Sequence, residues 1–344
     1  MEEYVRTAVS RVESEIRSFL PKESSGEWCK GIVDGLADPD SLIQVSSKPF
    51  YELFERGGKR LRPVFACLAH DALGGESPDI YRLAGMIEVV HTGTLILDDI
   101  EDKSEIRRGK PAVHRIFGTE LSINTGVLLA FLPQLLIQRT SLSMAQKASM
   151  HEAMVQHLTK VIAGQGLDLY WSKSLKFDVG LDDHLIMCRL KTGSLFAAAA
   201  KIGAIAAGAE QQVIDRLATA AEDAGEAFQV QDDLLNLRPS ASLGKAFAED
   251  ITEGKVTFPV LFSMARAGTE DRLRLLGILT SGTRQPGELQ AAIKIIQETG
   301  AIAEAKSHAD KLFRSAKQGF SEALPDGRHR EILLTLIDSI AARG

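Results

Sequence analysis

The chain has 344 residues, 44% of them hydrophobic and only 6% aromatic, and carries a formal net charge of −6 at pH 7. That length admits one large domain or two ordinary ones, and the negative balance excludes nucleic acid as a main partner. Cys29, Cys67 and Cys188 are scattered and odd in number, which excludes a disulfide framework or a cysteine-based zinc site and suits a reducing compartment.

Residues 2–20 predict an amphipathic helix with Val5, Val9, Val12, Ile16 and Phe19 on one stripe, unlike a signal peptide. After an irregular stretch at 40–48 comes ERGGKRLRP, residues 55–63. Gly57-Gly58 permit a tight turn, and Pro63 suits the first turn of a helix. Lys59, Arg60 and Arg62 therefore gather where unpaired helix N–H groups already attract anions, the bland alternative being a solvated basic turn. Residues 79–104 predict a second helix that ends in HTGTLILDDIED. Asp98 and Asp102 lie one turn apart on one face with Asp99 beside them, and His91 precedes on that face. Carboxylates this close repel one another unless they meet water or a cation. Arg107 and Arg108 follow at once in a loop over 107–111, which points to an anion as well.

Residues 119–139 read as an apolar helix kinked at Pro133, and 143–170 as another that ends in AGQGLDLYW. Gly164 and Gly166 are costly inside a helix and imply close packing or a kink. Lys191-Thr192-Gly193 interrupts the apolar run that follows, a local break that presents polar groups to a cavity. In FQVQDDLLNL, Gln229, Asp232, Asp233 and Asn236 share one helical face at i, i+3, i+4, i+7. A Gly- and Ser-bearing loop then carries Lys245, Asp250 and Lys255, and helices run from Pro259 to the end. There is no strand pattern of convincing length and no fixed-period repeat. The apolar runs 126–137, broken by Pro133, and 195–209, carrying Lys201, fall short of a transmembrane segment. The expectation is an all-α, single-domain helical bundle around a deep central apolar cavity, in the cytoplasm. Two facing acidic helices would clamp a diphosphate through Mg²⁺, a hard cation that takes oxygen ligands.

GGKRLRP at 57–63, DDIED…RRG at 98–109, GQGLDLYW at 164–171, KTG at 191–193, FQVQDD at 228–233 and GK…EDITEGKVTFP at 244–259 together resemble the trans-isoprenyl diphosphate synthases, the polyprenyl synthetase family. Each motif alone is weak; six in order are specific. DDIEDKSEIRRG, KTGSLF and AEDITEGK look most like eukaryotic-type geranylgeranyl diphosphate synthases, whereas GGKRLRP is closer to the bacterial and archaeal form. The motif-bearing core covers about residues 50–265 of one domain spanning 1–344, with C-terminal helices over 266–344.

The resemblance implies head-to-tail, Mg²⁺-dependent condensation of isopentenyl diphosphate with an allylic diphosphate (dimethylallyl, geranyl or farnesyl) by a homodimer. Asp98 and Asp102, supported by Asp99, and Asp232 would hold metal. Arg107, Lys191, Lys245 and Lys255 would bind the allylic diphosphate, and Lys59, Arg62, His91 and Arg108 isopentenyl diphosphate. Thr192 and Gln229 would line the space where the allylic cation forms. Asn236 stands where the commonest motif has Asp and is a weaker ligand. Gly93 and Thr94 stand where the family sets chain length. Their small size implies a twenty-carbon product, shortened by Gly93→Phe, with Leu121, Asn124, Leu128 and Phe131 as a deeper floor. The alternatives are a longer- or shorter-chain synthase, a class I terpene cyclase, a non-catalytic regulatory subunit and a helical protein with solvated acidic faces.

Overall fold

The computed structural model describes residues 1–24, 26–33, 35–238 and 248–342. It is helical nearly throughout, as expected. The exception among the described residues is a two-stranded ribbon in which Ile106–Arg107 pairs antiparallel with Lys110–Pro111. The stretch read as a loop is thus a hairpin. Its two central residues, Arg108 (φ 51°) and Gly109 (φ 74°), are both left-handed, the backbone that a two-residue hairpin turn requires.

The chain divides into two compact units. The first comprises Met1–Val155, Ala198–Ile214 and Gly327–Arg330. Its axis is the helix Ile80–Glu101, in which Leu83, Ala84, Met86, Ile87, Val89, Val90 and Ile96 are wholly buried. Each such large aliphatic side chain contributes about 1.5–3 kcal/mol through loss of water contact. The helix Glu2–Phe19 buries Ala8, Val12, Ile16 and Phe19, and Ile16 lies 3.0 Å from where a Cβ on Gly85 would stand. On another side the helix Thr119–Phe131 crosses very closely. A Cβ on Gly93 would come within 2.8 Å of Leu129 Cβ and 2.9 Å of the Gly126 carbonyl, and one on Gly126 within 3.1 Å of the Gly93 carbonyl. Only paired glycines allow this approach. The expected kink at Pro133 is a 3₁₀ turn, Leu132–Gln134, because proline cannot donate to the helical ladder.

By length and composition two helices, Ile80–Glu101 and Thr119–Gln138, could cross a membrane, but their apolar windows are 67% and 44% buried within the fold. The second contains the run 126–137, which the sequence reading placed short of a transmembrane segment because of Pro133. The first is the core helix of its unit.

The second unit comprises Gln156–Ala197, Asp215–Asp326 and Glu331–Gly344. Its core gathers Trp171, Phe177, Cys188, Ile251, Val260 and Leu275, with Leu279 and Ile296. The helix Met144–Lys173 runs unbroken through Gly164 and Gly166. Gly164 serves packing: a Cβ there would meet Leu190 Cβ at 2.8 Å. Gly166 has nothing within 4 Å and so serves no close packing. The break at 191–193 is a π-helical turn, Arg189–Gly193, between the helices Leu181–Cys188 and Ser194–Ala206. A π turn inserts one residue into a helix, a feature frequent at functional sites.

Candidate active site

In the first unit, ordinary helix electrostatics are reversed twice. Helix N-termini favour anions and C-termini favour cations, each by a few tenths to about 1 kcal/mol. Here Arg60 caps the helix Leu61–Ala72, with Lys59 before it and Arg62 inside its first turn, and no acidic residue occupies that turn. Conversely Asp98, Asp99 and Glu101 fill the last turn of Ile80–Glu101, Asp102 caps it, and no basic residue offsets them there. A helix start dressed with cations will draw an anion, and a helix end dressed with carboxylates will draw a cation.

The basic turn is built to be rigid. Arg60 is left-handed (φ 48°) and 4% exposed. A non-glycine residue in that conformation costs about 1–2 kcal/mol. Its guanidinium offsets this by donating to Glu88 Oε1 at 3.0 Å, the Phe54 carbonyl at 2.7 Å, the Gly57 carbonyl at 3.2 Å and Glu13 Oε1 at 3.3 Å. It also lies 3.9 Å over the Phe54 ring. Burial pushes the Glu88 carboxyl up, against the pull of Arg60. Arg60 is therefore taken up by the fold, while Lys59 is exposed and Arg62 half-buried.

Arg62 donates from Nη1 to His91 Nε2 at 3.2 Å. Since arginine only donates, that nitrogen accepts, and the imidazole is neutral. Burial, then the neighbouring Arg62, Arg108 and Arg107, hold the His91 pKa well below its ordinary value. Arg108 donates to the Gly57 carbonyl, and its own pKa is lowered by burial and by Arg60. The four residues expected to bind isopentenyl diphosphate are thus neighbours in one unit: Arg62 touches His91, and Arg108 touches the turn that leads to Lys59.

At the acidic end, Arg107 spans both first aspartates. Its Nε donates to Asp99 Oδ1 at 2.6 Å and its Nη2 to Asp98 Oδ2 at 3.2 Å. Burial would lower the Arg107 pKa; Asp99 and Asp98 more than reverse this, so it stays charged. Asp99 is completely buried, whereas Asp98 and Asp102 are half-buried. Asp98 and Asp102 thus suit a hard cation that retains waters, and Asp99 suits the arginine. Among the described residues no three acidic, imidazole or thiol groups converge into a closed cage, so water and phosphate oxygens would complete any coordination sphere.

The second unit holds the other expected residues. Lys191 Nζ donates to Asp168 Oδ2 at 2.6 Å, and Lys255 Nζ lies 3.8 Å from the same oxygen. Thr192 Oγ1 donates to Gln229 Oε1 at 2.6 Å, and Gln229 Nε2 donates to Asp233 Oδ1 at 3.0 Å. The four residues read as one face are split by burial: Asp232 is exposed, Gln229 half-buried, Asp233 and Asn236 buried. Asp233 Oδ2 accepts from the Phe258 backbone N–H at 3.4 Å, at the start of the helix Phe258–Arg266, where a carboxylate is favoured. Asn236 Oδ1 accepts from the Asp250 backbone N–H at 3.2 Å, so Asn236 anchors the chain near Asp250. Lys245 lies outside the described residues.

Asp168, which joins the two lysines, reads from the sequence only as a polar residue near a helix crossing. Glu88 is legible as a lone acid in the apolar run MIEVV. Arg189, whose Nε donates to Glu226 at 2.7 Å and whose Nη2 donates to Asp223 at 3.2 Å, fastens the π turn to the helix Gln211–Asn236 and left no readable signal. Of the chain-length positions, Gly93 belongs to the crossing with Gly126, so a phenylalanine there would push the crossing helices apart rather than plug a cavity. Thr94, Leu121 and Leu128 are half-buried, whereas Asn124 and Phe131 are exposed.

Residues 43–296 match the family model for polyprenyl synthetase. The chain is 36% identical over 307 residues to a short chain isoprenyl diphosphate synthase of Methanothermobacter thermautotrophicus, covering 89% of this chain and 91% of that one. It is 34% identical to a geranylfarnesyl diphosphate synthase of Aeropyrum pernix, with coverage of 89% and 95%. Its fold superimposes on a geranylgeranyl pyrophosphate synthetase from Pyrococcus horikoshii with a TM-score of 0.87 at 28% identity, covering 100% of this chain and 99% of the other. The protein belongs to the polyprenyl synthetase family, the trans-prenyl diphosphate synthases.

Proposed function

We propose that this protein condenses isopentenyl diphosphate with an allylic diphosphate in a Mg²⁺-dependent reaction whose main product has twenty carbons, geranylgeranyl diphosphate. The observation that carries the reading is the basic cluster Lys59, Arg62, neutral His91 and Arg108 beside the Asp98–Asp102 helix end with its own arginine, Arg107. One cluster suits a diphosphate without metal, the other a diphosphate bound through metal.

Lys59, Arg62, His91 and Arg108 hold isopentenyl diphosphate, with the Arg62 guanidinium oriented by the His91 ring. The family resemblance assigns Arg107, Lys191, Lys255 and Lys245 to the allylic diphosphate, and Asp98, Asp102 and Asp232 would hold the metal. Mg²⁺, when bound, would supply positive charge to neutralise a departing pyrophosphate. The allylic carbon–oxygen bond breaks, the double bond of isopentenyl diphosphate supplies the electrons of the new carbon–carbon bond, and the proton released leaves with pyrophosphate. Gln229, held by Thr192 and Asp233, fixes a carbonyl dipole suited to the developing cation.

The product length is supported by the small, half-buried Thr94 and by the likeness to a geranylgeranyl synthetase. Ile123, Val127, Phe131 and Leu135 form an exposed apolar row at four-residue spacing, 41–65% exposed, which supports a homodimer in which a second copy covers it.

The test is incubation with labelled isopentenyl diphosphate, each allylic starter and Mg²⁺, followed by product mass. The expected result is a prenyl diphosphate peak at twenty carbons that disappears with EDTA. No product from any starter, with both diphosphates and metal present, refutes the reading. A twenty-five-carbon product corrects only its length.

A further inference from the structure

The hairpin that carries Arg107 and Arg108 does not account for its own stability. Each strand has two residues, and isolated two-stranded ribbons are marginal even when longer. Its turn places arginine, not asparagine or glycine, at the first left-handed position. Ile106 is 54% exposed, so no apolar anchor holds it. Something outside the ribbon must fix it.

Asp98 and Asp99 hold the Arg107 side chain; the group that holds the ribbon's backbone is Arg56, the residue immediately before Gly57-Gly58. Its side chain is 2% exposed. Nη1 donates to the Arg107 carbonyl at 2.8 Å and to the Lys110 carbonyl at 3.4 Å, the two residues paired across the ribbon. Nε donates to the Glu52 carbonyl at 2.7 Å and Nη2 to Glu52 Oε1 at 3.1 Å, which fixes the guanidinium plane. Arg108 answers in the opposite direction, donating to the Gly57 carbonyl. The two backbone segments are therefore cross-braced, each by an arginine belonging to the other.

We infer that Arg56 is a positioning residue that locks the Arg107–Arg108 hairpin to the Gly57–Gly58 turn, so that the cations for both diphosphates form one preassembled unit. It rests on the proposed function for what the unit binds. Arg56 reaches only backbone carbonyls and Glu52, and need not touch substrate. Its loss weakens both diphosphates together, which distinguishes it from Lys59 or Arg107, whose loss weakens one. Burying a charged donor without its acceptors is costly, so a smaller neutral side chain frees the ribbon rather than forcing Arg56 to find new partners.

The test compares the full-length wild type with Arg56→Ala and the milder Arg56→Gln. Amide hydrogen exchange is followed over 104–112 and over 80–101, and dissociation constants are measured separately for isopentenyl diphosphate and, with Mg²⁺ but no isopentenyl diphosphate, for dimethylallyl diphosphate. The expected result is faster exchange at 104–112, unchanged exchange at 80–101, and both dissociation constants raised about tenfold, the loss of one charge-assisted hydrogen bond. Arg108→Ala combined with Arg56→Ala should cost less than the product of the single effects. Unchanged hairpin exchange in both variants, or a change in only one dissociation constant, overturns the inference and leaves the proposed function intact. Faster exchange across 80–101 as well, in Arg56→Gln too, reduces Arg56 to general stability and overturns it. Wild type that binds neither diphosphate refutes the proposed function, and the inference with it.

Discussion

Asp99 and Asp233 stand in matching places. Each follows another aspartate in the last turns of a long helix, and each is buried while the aspartate before it is not. They are held by different chemistry. Asp99 is paired with a charged arginine from a hairpin that itself is expected to meet substrate. Asp233 is held by a neutral amide and a backbone N–H, with His184 Nε2 3.7 Å away. The first site thus carries its own cation, and the second carries a helix start. In both, one carboxylate stays accessible and the next is built into the structure behind it. In each pair the more exposed aspartate is the candidate ligand and the buried one a strut.

The largest expected effects would break that division. Asp98→Ala or Asp232→Ala should lower kcat by about a thousandfold or more, the scale of losing electrostatic stabilisation of a leaving group, with little change in folding stability. Steady-state turnover of labelled isopentenyl diphosphate and thermal melting check both halves. Loss of stability with normal turnover would reverse the assignment. Next, Asp99→Asn should destabilise by about 3 kcal/mol, because Arg107 loses its fully buried carboxylate partner and keeps only Asp98. Asp233→Asn should cost less, about 1–3 kcal/mol, since it sets one amide N–H against a neutral donor rather than weakening the pairing of a buried charge. Chemical denaturation of the two variants side by side measures the gap, and equal losses would erase the contrast.

A smaller effect sharpens the first site through pH. His91 is held below its ordinary pKa of about 6.5. Below that pH the unfolded chain therefore binds a proton that the native state refuses. Its share of stability is complete above about pH 6.5 and falls on acidification, by at most about 1.4 kcal/mol per pH unit, until the native imidazole also titrates. His91→Gln should flatten that stretch of the acid limb in denaturation at pH 7.5, 6.5 and 5.5. An unchanged slope would mean that His91 is charged in the native state, and that Arg62 does not donate to it. Last, Thr94→Phe should shorten the main product by about one five-carbon unit with turnover retained, whereas Gly93→Ala should cost about 1–3 kcal/mol of stability through overpacking. Product mass and melting separate the two. Shorter product from Gly93→Ala with full stability would return that position to the cavity.

Helix periodicity made most of the architecture readable: 2–20, 79–104 and 143–170 lie within three residues of Glu2–Phe19, Ile80–Glu101 and Met144–Lys173. Charge density exposed the functional residues, because acids at a helix end and cations at a helix start oppose the dipole and so need another reason to be there. What stayed hidden depends on three-dimensional packing. Spacing sets Asp99 beside Asp98 and Asp102, and Asp233 on one face with Asp232; burial is what separates the members of each pair. Gly93 reads as an empty slot until Gly126 is seen against it. Arg56 carries no sequence signal for its link to the ribbon, since the carbonyls it reaches there lie more than fifty residues away. The ribbon at 106–111 is too short for alternation to show.

The π turn at 189–193 has a consequence for how this segment can vary. Successive residues of a helix point about 100° apart, so Lys191 reaches Asp168 while Thr192, the very next residue, reaches Gln229 on another helix. The extra residue of the π turn sets where these two stand relative to the segments on either side. Removing one residue would regularise the coil but rotate all that follows against all that precedes, and one of the two contacts would be lost. Length in this segment is therefore as constrained as identity: it accepts substitutions more readily than deletions.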